Sequence, residues 1–183
     1  RVRQKHRLYL AAAALMALGL FAASLDWNPV IAEVRWRSRV ERVEGHAEVL
    51  RQAALEFGQD PYLLAGLTYV ESGGDPRAVS SVDALGLFQL RLATAVERAR
   101  ALGLVAPTRE DLLADTPLNA RLGAAYLSWL VEYCEGDLER ALVCYNAGLG
   151  KVQQWTDEAG DWQTWRAGRA AALAEDAADE LTK

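Results

Sequence analysis

The stretch that decides the fold reads Asp60-Pro61-Tyr62-Leu63-Leu64-Ala65-Gly66-Leu67-Thr68-Tyr69-Val70-Glu71-Ser72-Gly73-Gly74. Asp60-Pro61 supplies a helix N-cap followed by a first-turn proline, whose missing N–H costs nothing there. Leu63, Leu64, Leu67 and Val70 recur with helical period and predict the buried face, and Gly73-Gly74 predicts the stop. Glu71 lies four residues after Leu67 and seven after Leu64, so it prolongs the apolar stripe. It also falls in the last turn, where the helix dipole opposes negative charge. Desolvation and dipole both favour the neutral carboxyl, as a general acid near neutral pH requires. The same position also fits an ordinary surface glutamate at a helix end, and periodicity alone leaves both readings open.

Outward from this segment the chain continues as short helices. Upstream, Val49, Leu50, Ala53, Ala54 and Phe57 form a helical stripe that Gly58 closes. Downstream of a Gly-, Ser- and Pro-containing loop, at most a short hairpin fits between Ser80 and Leu90. Thr94 with Glu97 predicts a capping box opening a helix that ends at Gly103. Thr116-Pro117 opens the longest body helix, striped by Leu118, Leu122, Ala125, Tyr126, Trp129, Leu130 and Tyr133. Asp137 caps the next, which carries Leu138, Ala141, Leu142 and Tyr145. From Ala167 the tail is rich in Ala, Asp and Glu and predicts a surface helix. The expected organisation is a membrane or signal segment over 1–26, a charged helical stalk over 27–46, a mainly α domain over 47–160 and an acidic tail over 161–183.

The 183 residues carry 20 Lys+Arg against 25 Asp+Glu, a net charge of −5, and 51 % apolar residues suffice for a core. This balance argues against a nucleic-acid binder held by phosphate contacts. Two cysteines and two histidines leave little scope for a zinc cluster. Residues 1–51 hold 9 basic and 5 acidic groups (+4), residues 52–183 hold 11 and 20 (−9). Arg1, Arg3, Lys5 and Arg7 precede Leu8–Leu25, 18 residues without a charge. At about 1.5 Å per residue such a helix nearly spans a bilayer core of roughly 30 Å. A retained anchor in the cytoplasmic membrane fits this layout, and so does a signal cleaved near Ala22 and Ser24. Both place the body outside the cytoplasm. There Cys134 and Cys144, flanking the Glu135-Gly136-Asp137 turn, could join in a disulfide, or remain two small buried hydrophobes.

Other candidates are weaker singly. Ser72 lacks a G-x-S-x-G setting, and with only His6 and His46 available a serine triad is improbable; His46 reads as a surface histidine. Asp83 offers a second carboxylate or a turn former. Gln89 is either a satisfied core amide or a ligand donor. Tyr145-Asn146 before Ala147-Gly148 reads as a helix end with a core tyrosine. Trp129, Trp155, Trp162 and Trp165 offer sugar-stacking faces or packing.

Together the motifs are more specific. Glu71-Ser72-Gly73 with Asp75-Pro76, Ala78-Val79-Ser80-Ser81, Gly86-Leu87-Phe88-Gln89-Leu90 with Thr94-Ala95, Asn119 with Gly123-Ala124-Ala125-Tyr126-Leu127, and Ala141-Leu142 with Tyr145-Asn146-Ala147-Gly148 occur in order. From about Ala47 to Trp155 this resembles the catalytic domain of soluble lytic transglycosylases, in the goose-lysozyme-like superfamily. The resemblance implies a lysozyme-like, mainly α (α+β) fold acting on peptidoglycan glycan strands without metal or cofactor, in the periplasm, and leaves room for cell-envelope assembly partners. It implies Glu71 as the single acid/base, with Ser72, Ser80, Gln89, Tyr145 and Asn146 on the substrate side and Tyr145 reaching the carboxylate. Phe88, Arg91-Leu92 and Cys144 depart from the usual Met, Met-Pro and Ala. The implied reaction cleaves between N-acetylmuramic acid and N-acetylglucosamine and closes a 1,6-anhydro ring. A hydrolytic muramidase using Asp83 and a non-catalytic glycan-binding module are the rival expectations.

Overall fold

The computed structural model describes residues 28–180. Its elements are α1 (Asn28–Glu44), α2 (Ala47–Phe57), α3 (Pro61–Glu71), β1 (Ala84–Leu85), β2 (Leu90–Arg91), α4 (Leu92–Ala101), α5 (Arg109–Ala114), α6 (Thr116–Tyr133), α7 (Leu138–Ala147), α8 (Leu149–Ala159) and α9 (Trp162–Glu180). The two strands pair antiparallel, Ala84 opposite Arg91 and Leu85 opposite Leu90, and Val79 bridges to Leu85. A mainly helical domain with one short hairpin is thus what forms. The expected anchor over 1–26 lies outside the described residues, and among those described no helix is long and apolar enough to cross a membrane.

Helix starts follow the local chemistry. Asp60 accepts from the Tyr62 N–H at 2.8 Å and Asp137 from that of Arg140 at 2.9 Å. Asp115, one residue before the expected Thr116, accepts from the Leu118 N–H at 2.9 Å and caps α6. The box expected at Thr94 and Glu97 does not form: α4 leaves β2 directly and starts at Leu92, so Thr94 already lies inside it. The capping box is at Thr108 and Asp111 instead, opening α5.

α6 is the central helix, packed by α2, α4, α5 and α7. The single stripe expected for it is too narrow. Asn119, Ala120, Leu122, Gly123, Ala124, Ala125, Leu127 and Leu130 are all buried, whereas Tyr133 is exposed. Small residues make this wide burial possible: a Cβ on Gly123 would sit 2.3 Å from the Phe88 ring. In α3, Val70 is exposed and Thr68 takes the buried place, its hydroxyl donating to the Ala65 carbonyl at 3.0 Å. A second core joins Leu130, Cys134, Ala141, Cys144, Val152 and Trp162.

Of the stalk expected over 27–46, Asn28–Glu44 is helical, and its last turn packs on the body. Val43 is buried, and the Arg42 Nε donates to the Gly73 carbonyl at 2.9 Å. His46, expected at the surface, is half-buried with Nε2 3.2 Å from the Gly74 carbonyl. Gly74 has φ +77°, and a Cβ there would lie 2.8 Å from the Val43 backbone nitrogen. The end of α1 and the turn that follows Glu71 therefore fit only because this turn lacks side chains.

Candidate active site

Glu71 ends α3 and is half-buried in a cleft of about 630 Å³. Burial pushes its carboxyl pKa upward. Ser80, Gln89, Tyr145 and Asn146 line the same cleft, joined by Arg91, Thr94, Tyr126 and Lys151. Four of the expected substrate-side residues thus come together around Glu71, although 75 residues separate Glu71 from Asn146.

Each is held by local bonds. The Ser80 hydroxyl accepts from the N–H groups of Val82 and Ala84, at 3.3 and 3.0 Å, which shapes the turn into β1. Gln89 sits at φ +48° and donates from Nε2 to the carbonyls of Ala78 and Gly86 at 3.1 and 2.9 Å. Both amide hydrogens are thereby engaged, leaving Oε1 as its acceptor. The Tyr145 hydroxyl donates to the Phe88 carbonyl at 2.8 Å. Burial above all, then the nearby Glu71 and Tyr126, push this phenol well above its ordinary pKa, so it stays neutral. Tyr145 is thus an electrostatic neighbour of Glu71, but its hydrogen bond goes to backbone.

Ser72 is placed differently. Its Oγ lies 2.8 Å from the Leu87 carbonyl and 3.1 Å from that of Thr68, so its proton is held between backbone acceptors. It pins the end of α3 to the 85–89 loop. Asn119 holds the same loop from the other side. Fully buried, it accepts from the Phe88 N–H at 2.9 Å and donates to the Leu85 and Leu112 carbonyls at 3.0 and 3.1 Å. The fit is close: a Cβ on Gly86, where φ is +75°, would lie 2.3 Å from the Asn119 amide nitrogen.

The remaining candidates fall elsewhere. Asp83 is exposed, adopts φ +63°, pairs with Arg109 and is absent from the cleft lining; it is a turn former. Trp129 packs against Tyr126 and Tyr133 and carries the Arg98 guanidinium over its ring at 4.5 Å. Trp162 is buried and donates from Nε1 to Asp137 at 2.8 Å. Trp155 and Trp165 stack at 5.3 Å and line a second cavity of about 600 Å³, which shares Asn146 and Ala147 with the cleft. Cys134 and Cys144 are buried free thiols in contact, and burial pushes Cys144 up to about 12. Among the described residues no three His, Cys, Asp or Glu side chains are grouped to share a metal.

Arg91, Thr94, Tyr126 and Lys151 were not candidates from sequence. Arg91 reaches the cleft from the end of β2, a placement set by pairing with Ala84. Lys151 follows a helix break, and no local pattern carries it to the cleft.

Known proteins agree with this architecture. The model of the transglycosylase SLT domain matches residues 48–167. Endo-type membrane-bound lytic murein transglycosylase A from Salmonella typhimurium and from Salmonella enteritidis is 35% identical over 92 residues, 50% of this chain and 45% of theirs. The chain therefore spans about half the length of the curated relatives it matches. An inactive glutamate-to-glutamine mutant of the lytic transglycosylase Slt from Pseudomonas aeruginosa superposes with TM-score 0.57 at 35% identity, over 61% of this chain and 18% of that one. The 70 kDa soluble lytic transglycosylase of Escherichia coli shares the fold with TM-score 0.56 at 22% identity, over 60% and 18%. With the family model spanning most of the folded body and both the hairpin and Glu71 inside it, the chain belongs to the transglycosylase SLT domain family.

Proposed function

We propose that this chain is a lytic transglycosylase of peptidoglycan in which Glu71 alone serves as acid and base. The observation that carries this reading is a half-buried carboxyl with a raised pKa, lining a cleft to which, among the described residues, no other carboxylate contributes. A glycosidase of the usual kind needs two carboxyl groups. With one, the substrate must supply the rest.

Protonated Glu71 gives its proton to the oxygen bridging N-acetylmuramic acid and N-acetylglucosamine while the bond from muramyl C1 to that oxygen breaks. The 2-acetamido group of the muramyl sugar stabilises the cation left at C1. The Glu71 carboxylate then takes the proton of the same sugar's C6 hydroxyl as O6 bonds to C1. The 1,6-anhydro end forms, Glu71 is protonated again, and no water is consumed. Gln89 offers its Oε1 and Asn146 its amide to the strand, and the hydrogen bond from Tyr145 to Phe88 holds the wall beside the carboxyl. The printed names of the relatives support the reaction class, and the inactive Pseudomonas protein carries the kind of change that Glu71→Gln would make here. The basic-flanked run Leu8–Leu25 and the membrane-bound Salmonella relatives support a place in the cell envelope, outside the cytoplasmic membrane.

The test is mass spectrometry of muropeptides released from purified peptidoglycan by the full chain. Products lighter by one water, carrying the anhydro ring, are expected, and Glu71→Gln should lose about 10²–10⁴-fold in rate while keeping its fold. Reducing muramyl ends would move the activity to a muramidase. Cleavage by Glu71→Gln at the parent rate would remove Glu71 from its role.

A further inference from the structure

We infer that Arg91 and Lys151 form a carboxylate-binding pair on the cleft, so that the preferred substrate is a glycan strand carrying negative charge. This rests on the lytic reading above and adds to it the charge of the strand. The cleft is lined by two cations, Arg91 and Lys151, and by one carboxyl, Glu71. Two cations against one half-buried carboxyl leave the lining net positive whichever form Glu71 takes. That sign is opposite to the net charge of the stretch that contains the cleft: residues 52–183 carry 11 basic and 20 acidic groups. An acidic surface repels a polyanionic strand, whereas a concave site with low-dielectric walls and two cations concentrates it locally.

The two side chains are free to act. Arg91 is exposed at the end of β2, and its side chain has no hydrogen bond or ion pair among the described residues. Lys151 is exposed on α8, has no ion pair among the described residues, and places Nζ 5.9 Å from the Trp155 ring centroid. By contrast, Arg37, Arg51, Arg109, Arg121 and Arg166 each pair with a carboxylate. One cation comes from the hairpin that supplies Gln89, the other from the helix that follows Asn146, so a strand held by those amides meets both. The complementary group on peptidoglycan is a carboxylate. It has two sources, the lactyl carboxylate of a muramyl sugar stripped of its peptide, and the carboxylates of an attached peptide stem.

The test measures binding by the full-chain Glu71→Gln protein, so that cleavage does not interfere. Arg91→Gln, Lys151→Gln and the double substitution are added to it. The probes are peptide-bearing strands, stripped strands with free lactyl carboxylates, and both after chemical amidation of their carboxylates. At low salt each substitution should weaken binding to an untreated strand about threefold and the pair about tenfold. Amidation should weaken the Glu71→Gln protein by the same factor, and the double variant should bind amidated and untreated strands alike. A loss confined to stripped strands assigns the lactyl carboxylate; one confined to peptide-bearing strands assigns the stem. Undiminished binding by the double variant, or an equal loss on amidated strands, would overturn the inference. Failure of the unsubstituted chain to release muropeptides would overturn the lytic reading alone, because the binding comparison still decides the role of the cations.

Discussion

Replacing Asn119 by alanine tests how the cleft is built. The side chain is fully buried and makes three hydrogen bonds, all to backbone groups of other segments, at 2.9, 3.0 and 3.1 Å. At a net worth of about 1 kcal/mol each, their loss costs about 3 kcal/mol, and the stranded Phe88 N–H and two carbonyls make this a lower figure. For a domain of this size that corresponds to a fall in Tm of roughly 6–12 °C. Urea unfolding followed by tryptophan fluorescence and circular dichroism should show a lower midpoint at unchanged slope. Asn119→Asp sharpens the test, since it keeps the acceptor for Phe88 but sets an oxygen against the Leu85 and Leu112 carbonyls. It should be no more stable than the alanine variant near neutral pH. Because the loop held by Asn119 carries Gln89 and offers the Phe88 carbonyl to Tyr145, glycan cleavage should fall further than the unfolded fraction explains. A loss below about 1 kcal/mol for Asn119→Ala, or parent-like stability for Asn119→Asp, would refute this account of the loop.

Gly123→Ala should destabilise by about 1–3 kcal/mol in the same unfolding assay, because the added methyl meets Phe88 at 2.3 Å; the helix preference of alanine, about 1 kcal/mol in its favour, is the smaller effect. Stabilisation would mean that Phe88 moves freely. Cys144, with its thiol pushed up to about 12 by burial, should resist iodoacetamide in the folded protein at pH 8 and react only on unfolding; labelling at the rate of an exposed cysteine would contradict the buried pair. Glu71→Gln should gain stability relative to the parent as pH rises. The folded-state pKa of Glu71 is raised, so whatever stability the neutral carboxyl contributes is complete below the unfolded pKa, near 4.5, and is lost as pH rises through the folded value. The midpoint difference between the two proteins, followed by urea titration from pH 4 to 8, should grow in that direction, and a difference independent of pH would count against a buried carboxyl.

What could be read from sequence divides by the range of the contact that decides it. The caps at Asp60 and Asp137, the stop after Glu71 and the place of the hairpin depend on neighbours within a few residues, and all of these form. The helix from Leu92 was misplaced because the ladder partner of Arg91 is Ala84, and pairing, not a cap, sets its entry. Burial around α6 was underestimated because small residues matter only where another element approaches, and Phe88 reaches Gly123 from 35 residues away. Ser72 and Tyr145, which the resemblance puts on the substrate side, each bond a carbonyl of the 85–89 loop, 15 and 57 residues distant, and no local period encodes those bonds. The partial burial of Glu71 was legible because the stripe it extends lies on one helix.

In the role proposed for it, Glu71 has to answer two opposed demands. To be protonated near neutral pH the carboxyl must lose water, yet to reach a glycosidic oxygen it must face an open cleft. Placing it in the last turn of α3 meets both. The helix carries the side chain along its buried stripe, beside Leu67 and Thr68, while the next residues turn away and leave the cleft side open. Such an end would fray unless fixed, and here it is fixed from two sides. Ser72 bonds the Leu87 carbonyl, and Arg42 and His46 of the α1 end reach the carbonyls of Gly73 and Gly74. Those contacts go to backbone, and among the described residues no cation pairs with the carboxyl of Glu71, so burial raises its pKa unopposed. The segment before Ala47 therefore supports the turn that follows Glu71, and a chain lacking α1 would lose the Arg42 bond to the Gly73 carbonyl that helps to fix it.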